Sequence, residues 1–168
     1  RLPMDELLAA IPKLATSLRP DNWLAFASAI MTTDTVAKAV SEQVTIDGEA
    51  ITVTGVAKGS GMIKPNMATM LAYIACDATV SEEVLQRSVV EIANASFNRI
   101  TVDGDTSTND CFMLCASGAS ALSPIVSVED PRLLHLEDTI ASVAKTLAQS
   151  IVRDGEGATK FVTVTVSG

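Results

Sequence analysis

With one histidine in 168 residues, the chain lacks the usual means of side-chain base catalysis. His135, in DPRLLHLED, has no second imidazole to pair with and no nucleophile signature beside it. A Ser-His-Asp or Cys-His mechanism therefore has nothing to build on, a histidine-based zinc site lacks its ligands, and His135 reads as a structural residue. Cysteine is also scarce. Cys76, Cys111 and Cys115 lie within apolar runs, and the spacing in CFMLC is not that of a metal knuckle, so buried thiols in a reducing compartment are expected and no metal is. Positive charge is in deficit, with 12 Lys and Arg against 20 Asp and Glu and a net charge of −8. No basic cluster interrupts that field, which repels phosphate backbones, so a nucleic acid partner is not expected. No apolar stretch reaches the roughly 18 residues of a membrane span, and RLPMDELL does not have the form of a signal peptide. No membrane association and a cytoplasmic location are expected.

Apolar residues make up 48% of the sequence, enough to furnish one domain with a substantial core. Residues 5–17 and 21–29 carry them at helical spacing, with Pro12 and Pro20 as breaks. In QVTIDGEAITVTGVAK, Val44 and Ile46, then Ile51 and Val53, alternate on either side of Asp47-Gly48, a dipeptide suited to a tight hairpin turn. MLAYIAC is a continuous apolar run of strand length, as for a strand covered on both faces, and CFMLCASG reads as a second buried strand. Ser81 caps a helix with Glu82 and Glu83 in its first turn and Val84, Leu85, Ile92 and Phe97 among its apolar positions. Ile140, Val143, Leu147 and Ile151 mark another helix, ending near Arg153 and Gly155, and FVTVTV alternates as a closing strand. With no repeat or linker, these elements sum to an α/β fold, a layered sandwich of β-sheets covered by helices.

Two stretches invite a functional reading and lose it. KGSG resembles a phosphate loop, but Lys58 precedes the glycines instead of following them. TVDGDTSTND, residues 101–110, has Asp103, Asp105 and Asp110 with Gly104, yet lacks the glutamate that closes a calcium loop and suits turns held by side chain to backbone bonds. Thr69 is different. In KGSGMIKPNMATMLAYIACDA it stands where a glycine-rich loop turns into an apolar run. A threonine hydroxyl needs an adjacent base, and the chain can offer Lys, Glu, Asp or, if the preceding bond is cut, the threonine's own α-amine. That amine titrates near 7.7–8.0, so part of it is neutral at physiological pH and able to take the hydroxyl proton. Spacing alone leaves two readings open: a nucleophile behind the small Ala68, or an ordinary residue at a strand start.

The same stretch, together with AIMTTDT at 29–35, SFNRITVDGDTSTND at 96–110 and RDGEGATKF at 153–161, resembles the ornithine acetyltransferase family of arginine biosynthesis, also called glutamate N-acetyltransferase. Enzymes of this family are similar in mechanism to N-terminal-nucleophile hydrolases. The precursor cuts itself between Ala and Thr of an N-M-A-T motif, and the new terminal threonine carries the acetyl group. The resemblance implies that Ala68 and Thr69 flank the scissile bond, with 1–68 the end of an alpha chain and 69–168 the start of a beta chain. It further implies substrates N-acetylornithine and glutamate, no cofactor, and a heterotetramer of two alpha and two beta chains. Acetyl-coenzyme A stays open as a second donor.

Carried over by position, the family's substrate-binding threonine falls on Thr32, with Thr33 beside it as the other hydroxyl of the block. Its lysine falls on Lys58, its nucleophile on Thr69 and its glutamate on Glu156. Without the resemblance these would read as a turn hydroxyl, a solvated lysine, a strand residue and a surface acid. The resemblance also implies that the chain covers the middle of a family member. The oxyanion-hole Thr-Gly pair lies upstream of it, and the C-terminal substrate-binding Asn and Thr lie downstream. Oxyanion donors are commonly worth about 10² to 10³ in rate, so these residues alone are expected to catalyse poorly. Two other classes stay in view: a self-cleaving threonine amidase or aminopeptidase with water as acceptor, and an uncleaved, inactive binding relative.

Overall fold

The computed structural model describes residues 2–64, 70–105 and 107–167. Two strands, β1 (Lys38–Ile46) and β2 (Glu49–Lys58), form the expected hairpin, paired antiparallel from Lys38↔Ala57 to Ile46↔Glu49. Asp47 (φ 52°) and Gly48 (φ 83°) both take left-handed backbone, as a two-residue turn matching the twist of its strands requires. β3 (Leu71–Cys76) runs antiparallel to β2, and β4 (Cys111–Ala116) runs parallel to β3, giving one mixed sheet in the order β1-β2-β3-β4. A parallel neighbour needs a crossover. Here it is α3 (Glu82–Ala95), whose N-cap Ser81 accepts from the Val84 amide as expected. Phe97 lies past the end of α3, in a short 3-10 turn, Phe97–Arg99, and packs edge-on to Phe112.

The core lies on one face of the sheet. Helix α4 (Pro131–Arg153) starts with Asp130 as N-cap and proline at the first helical position, where its missing N–H costs nothing. Its buried stripe of Leu133, Leu136, Ile140, Val143, Leu147 and Ile151 repeats at helical spacing and covers β1 and β2, with α3 beside it over β4. Ile51, Val53, Ile74 and Cys76 are buried on the sheet side. Burial pushes the Cys76 thiol up to about 11. The opposite face receives the short α2 (Trp23–Ala29), whose Phe26 ring sits 5.2 Å from that of Tyr73. Helices thus cover a mixed sheet, the layered α/β class expected.

Four local expectations are corrected. Helix α1 (Met4–Thr16) runs through Pro12 instead of breaking there. No residue of α1 is buried, so a carbonyl left without its amide partner can be hydrated. β3 is fully buried on alternate residues only, and β4 on none, because α2 packs against β1 and β2 and leaves the far side of the sheet partly open. For the same reason Cys111 is half-buried and Cys115 exposed, and only Cys76 is an interior thiol. Residues 161–167 form no strand, and Val162, Val164 and Val166 point into solvent. Alternation shows that a segment can pair, not that an edge is within reach; Phe161 instead packs under the Arg153 guanidinium, 4.2 Å from its ring centre.

Where α4 crosses β2 the helix comes so close that a Cβ on Gly55 would lie 2.9 Å from Leu147 Cδ1 and 2.9 Å from Val143 Cγ1. Gly55→Ala in the full-length protein is therefore expected to lower stability by about 1–3 kcal/mol. The check is a lower denaturation midpoint at unchanged slope; an unchanged midpoint would mean that the helix can lift off without cost.

Candidate active site

One buried cation organises the region around the KGSG loop. Lys38, at the start of β1, is 3% exposed, and its Nζ donates to Asp34 Oδ1 at 2.7 Å and to Asp154 Oδ2 at 2.6 Å. Each carboxylate also collects backbone donors. Asp34 accepts from the Gly59 amide at 2.7 Å and from the Thr32 amide at 3.3 Å. Asp154, the residue that ends α4, accepts from the Thr35 amide at 3.0 Å and from the Thr35 hydroxyl. Burial pushes both carboxyls up, but Lys38 and these donors outweigh it and hold them below the usual carboxylate range. The cluster ties the residues after α2, the end of β2 and the end of α4 to a single point.

Around that point the expected substrate residues converge. A cavity of about 310 Å³ is lined by Thr32, Thr33, Lys58, Ser60, Asp103 and Glu156, together with Gly59, Gly61 and Met62. Lys58, the last residue of β2, is only 8% exposed and opens onto this space. The Thr33 hydroxyl lies 2.6 Å from that of buried Ser60. Glu156 donates its amide to the Ser60 carbonyl at 2.7 Å, which fixes its backbone against the loop. Its carboxyl group overlies Gly61, where a Cβ would come within 3.2 Å. The side chain itself is exposed rather than buried, so the space can admit a polar ligand from solvent. Thr32, Lys58 and Glu156 thus share one wall system, although the chain separates them widely. Thr69 and Ala68 lie outside the described residues. His135 stands on the exposed side of α4.

The described residues of the 101–110 stretch hold side chain to backbone bonds, as expected, with a specific task. Asp103 accepts from the Met62 amide at 2.5 Å and the Ile63 amide at 3.1 Å. The Val102 amide and the Thr101 hydroxyl both donate to the Ile63 carbonyl at 2.9 Å. Met62 takes left-handed backbone (φ 53°), unusual for a side chain of its size. Asp110 Oδ1 accepts from the Met70 amide at 2.7 Å, and the Cys111 amide returns to the Met70 carbonyl at 3.0 Å. Two of the three carboxylates that suggested a calcium loop, Asp103 and Asp110, are engaged by backbone amides. Asp34 and Asp154 sit inside the quoted MTTDT and RDGEG blocks, yet neither they nor Lys38 were singled out from sequence. Their signal is the pairing itself, which no spacing reveals.

A family model described as the ArgJ family matches residues 1–168, and the chain belongs to that family. It is 53% identical over 167 residues to the arginine biosynthesis bifunctional protein ArgJ of Colwellia psychrerythraea and 54% identical over 167 residues to that of Pseudomonas fluorescens. Each match takes in 99% of this chain, which spans 39% and 41% of those relatives' own lengths. A crystal structure of ArgJ from Bacillus halodurans is 43% identical, covering 50% of this chain and 39% of that one with a TM-score of 0.48.

Removing the central cation would leave two carboxylates buried without their counter-ion, a change that typically costs about 3–5 kcal/mol. Lys38→Met is expected to lose that much at pH 7, read by denaturant unfolding of the full-length enzyme. In the wild type the depressed carboxyls contribute fully above their unfolded pKa, and that contribution is lost as pH falls through their folded values. In the variant the same groups gain by protonating, so the difference between the two proteins should shrink as pH falls toward 4. A pH-independent difference would contradict this account.

Proposed function

We propose that this chain is the central part of an acetyltransferase of arginine biosynthesis that moves an acetyl group from N-acetylornithine to glutamate through Thr69. The observation that carries the reading is the convergence of Thr32, Lys58 and Glu156 on one cavity beside the loop leading towards Thr69. The relatives' shared name, arginine biosynthesis bifunctional protein, supports the same pathway. Substrates that are amino acids suit such a wall, with Lys58 offering a cation to a carboxylate, Glu156 an anion to an ammonium group and Thr32 a hydroxyl.

Processing comes first. The Thr69 hydroxyl oxygen attacks the Ala68 carbonyl carbon, the Ala68–Thr69 C–N bond breaks, and the hydroxyl proton ends on the released nitrogen. Water then hydrolyses the ester, leaving an Ala68 carboxylate and a free Thr69 amine. In transfer, that amine takes the hydroxyl proton while the oxygen bonds to the acetyl carbonyl carbon of N-acetylornithine. The acetyl C–N bond breaks and the proton passes to the departing ornithine amine. The amine of glutamate attacks the acetyl-threonine ester, its proton passes by way of the Thr69 amine to the departing threonine oxygen, and N-acetylglutamate forms with the hydroxyl restored.

Strand pairing explains how two pieces could remain one enzyme. β2 precedes the bond and β3 follows it, and they pair from Val53↔Cys76 to Lys58↔Leu71. Ile51 and Val53 pack in the same core as α4. A cut at Ala68–Thr69 would therefore leave alpha and beta chains sharing one sheet, as subunits of a larger assembly.

The test uses the full-length enzyme. Wild type should yield a fragment starting at Thr69 that co-purifies with the upstream piece, and donor should leave an acetyl group on Thr69, read by mass spectrometry. Thr69→Ala should abolish both, and Thr69→Ser should retain some of each. A wild-type protein that stays intact, or an acetyl group found elsewhere, overturns the assignment. Donor hydrolysis without N-acetylglutamate would indicate an amidase instead.

Glu156→Gln provides a separate check on the cavity. It should still self-cleave while kcat/KM for N-acetylornithine falls more than tenfold, since losing a substrate-facing charge typically costs about 2–5 kcal/mol. Unchanged transfer kinetics would return Glu156 to a surface role.

A further inference from the structure

Of the three charged residues that line the cavity, Asp103 alone has no part in the function proposed above. Its carboxylate is held by three backbone amides: Oδ2 accepts from Met62 at 2.5 Å, and Oδ1 from Ile63 and Asp105, each at 3.1 Å. Burial pushes the carboxyl up, but these amides outweigh it and hold it below the usual carboxylate range, so Asp103 is an anion at physiological pH. The two oxygens of a carboxylate offer about four acceptor positions. Three are taken, and the free one belongs to Oδ2, whose partner Met62 also lines the cavity. Glu156 reaches the same loop from the end of α4, with its carboxyl over Gly61, the residue before Met62. Two anions thus flank consecutive residues of one loop, while Lys58 is the single cation among the residues lining the cavity.

We propose that Asp103 determines donor specificity: with Glu156 it holds the side-chain ammonium group of the donor, which leaves the donor's carboxylate to Lys58. The inference rests on the function proposed above and deepens it. A single ion pair at a wall open to solvent contributes little, and an ammonium group has three protons to place. A second acceptor answers both needs. Asp103 supplies one that the loop has already fixed in position, so binding does not have to order its side chain. One cation facing two anions suits a ligand with a carboxylate at one end and an ammonium group at the other, as N-acetylornithine has. Glutamate, the acceptor, carries a carboxylate where the donor carries its ammonium group, and gains nothing from Asp103.

The experiment compares kcat/KM for two donors in the full-length enzyme: N-acetylornithine, and N-acetylnorvaline, which has the same three side-chain carbons and no amine. Wild type should prefer the first by about tenfold or more. Asp103→Asn keeps the shape and one oxygen for the loop amides while removing the charge, so it should cut that preference by about fivefold and leave kcat/KM for glutamate in place. A loosened loop would instead slow both donors alike. A folded variant whose preference is unchanged therefore overturns the proposal, as does a wild type that does not discriminate between the donors. Asp103→Ser, smaller and neutral, is read in the same way in case the amide variant misfolds. If neither folds, crystals of the wild-type enzyme with ornithine decide: a side-chain nitrogen within about 4 Å of an Asp103 carboxylate oxygen supports the proposal, and one farther away overturns it. Failure of wild type to transfer acetyl from N-acetylornithine at all overturns instead the function on which the inference rests, so the two failures are distinguishable.

Discussion

The buried ammonium of Lys38 is the constraint from which the site follows. One cation between two carboxylates leaves an excess negative charge in the interior, which the amides of Thr32, Thr35 and Gly59 and the Thr35 hydroxyl balance. Those amides belong to the residues after α2 and to the loop after β2, while Asp154 ends α4. The three segments must therefore meet in one geometry if every donor and acceptor is to be met. Buried ionic clusters are often no more stabilising than apolar residues of equal volume, so the contribution here is best understood as location. Slippage by one residue at any of the three segments would strand a charge.

Everything facing the cavity hangs on that fixed point. Lys58 is the residue before the glycine that binds Asp34, and Glu156 lies two residues beyond Asp154. At Gly61 a side chain would come within 3.2 Å of the Glu156 carboxyl, so glycine leaves that carboxyl room over the loop. The cluster itself does not face the ligand. Its charges are consumed internally, whereas Lys58, Asp103 and Glu156 are the charged residues that line the cavity.

A second set of constraints acts on the loop between β2 and β3. The last pair, Lys58↔Leu71, sets where the chain leaves β2 and where it enters β3. The stretch after α3 holds both ends of that loop, with Asp103 accepting from the amides of Met62 and Ile63 and Asp110 from that of Met70. The crossover that makes β4 parallel to β3 is what brings it there. Sheet topology and loop geometry are thus two consequences of one connection.

The sequence by itself determined the elements with a strong local cause: the Asp47-Gly48 hairpin, the Ser81 cap, the apolar stripe of α4 and the strand character of residues 71–76. Each depends on neighbours along the chain, so periodicity and turn chemistry reveal it. The family blocks likewise pointed to Thr32, Lys58 and Glu156, and the tertiary structure alone decided that they share one cavity. It also decided that residues 161–166, patterned as a strand, have no partner edge here, and that α1 can carry Pro12 because solvent replaces a lost bond. Lys38, Asp34 and Asp154 were illegible for a related reason. Their meaning is a contact between residues far apart in the chain, and an isolated lysine or aspartate in a sequence looks the same whether it faces water or a buried counter-charge.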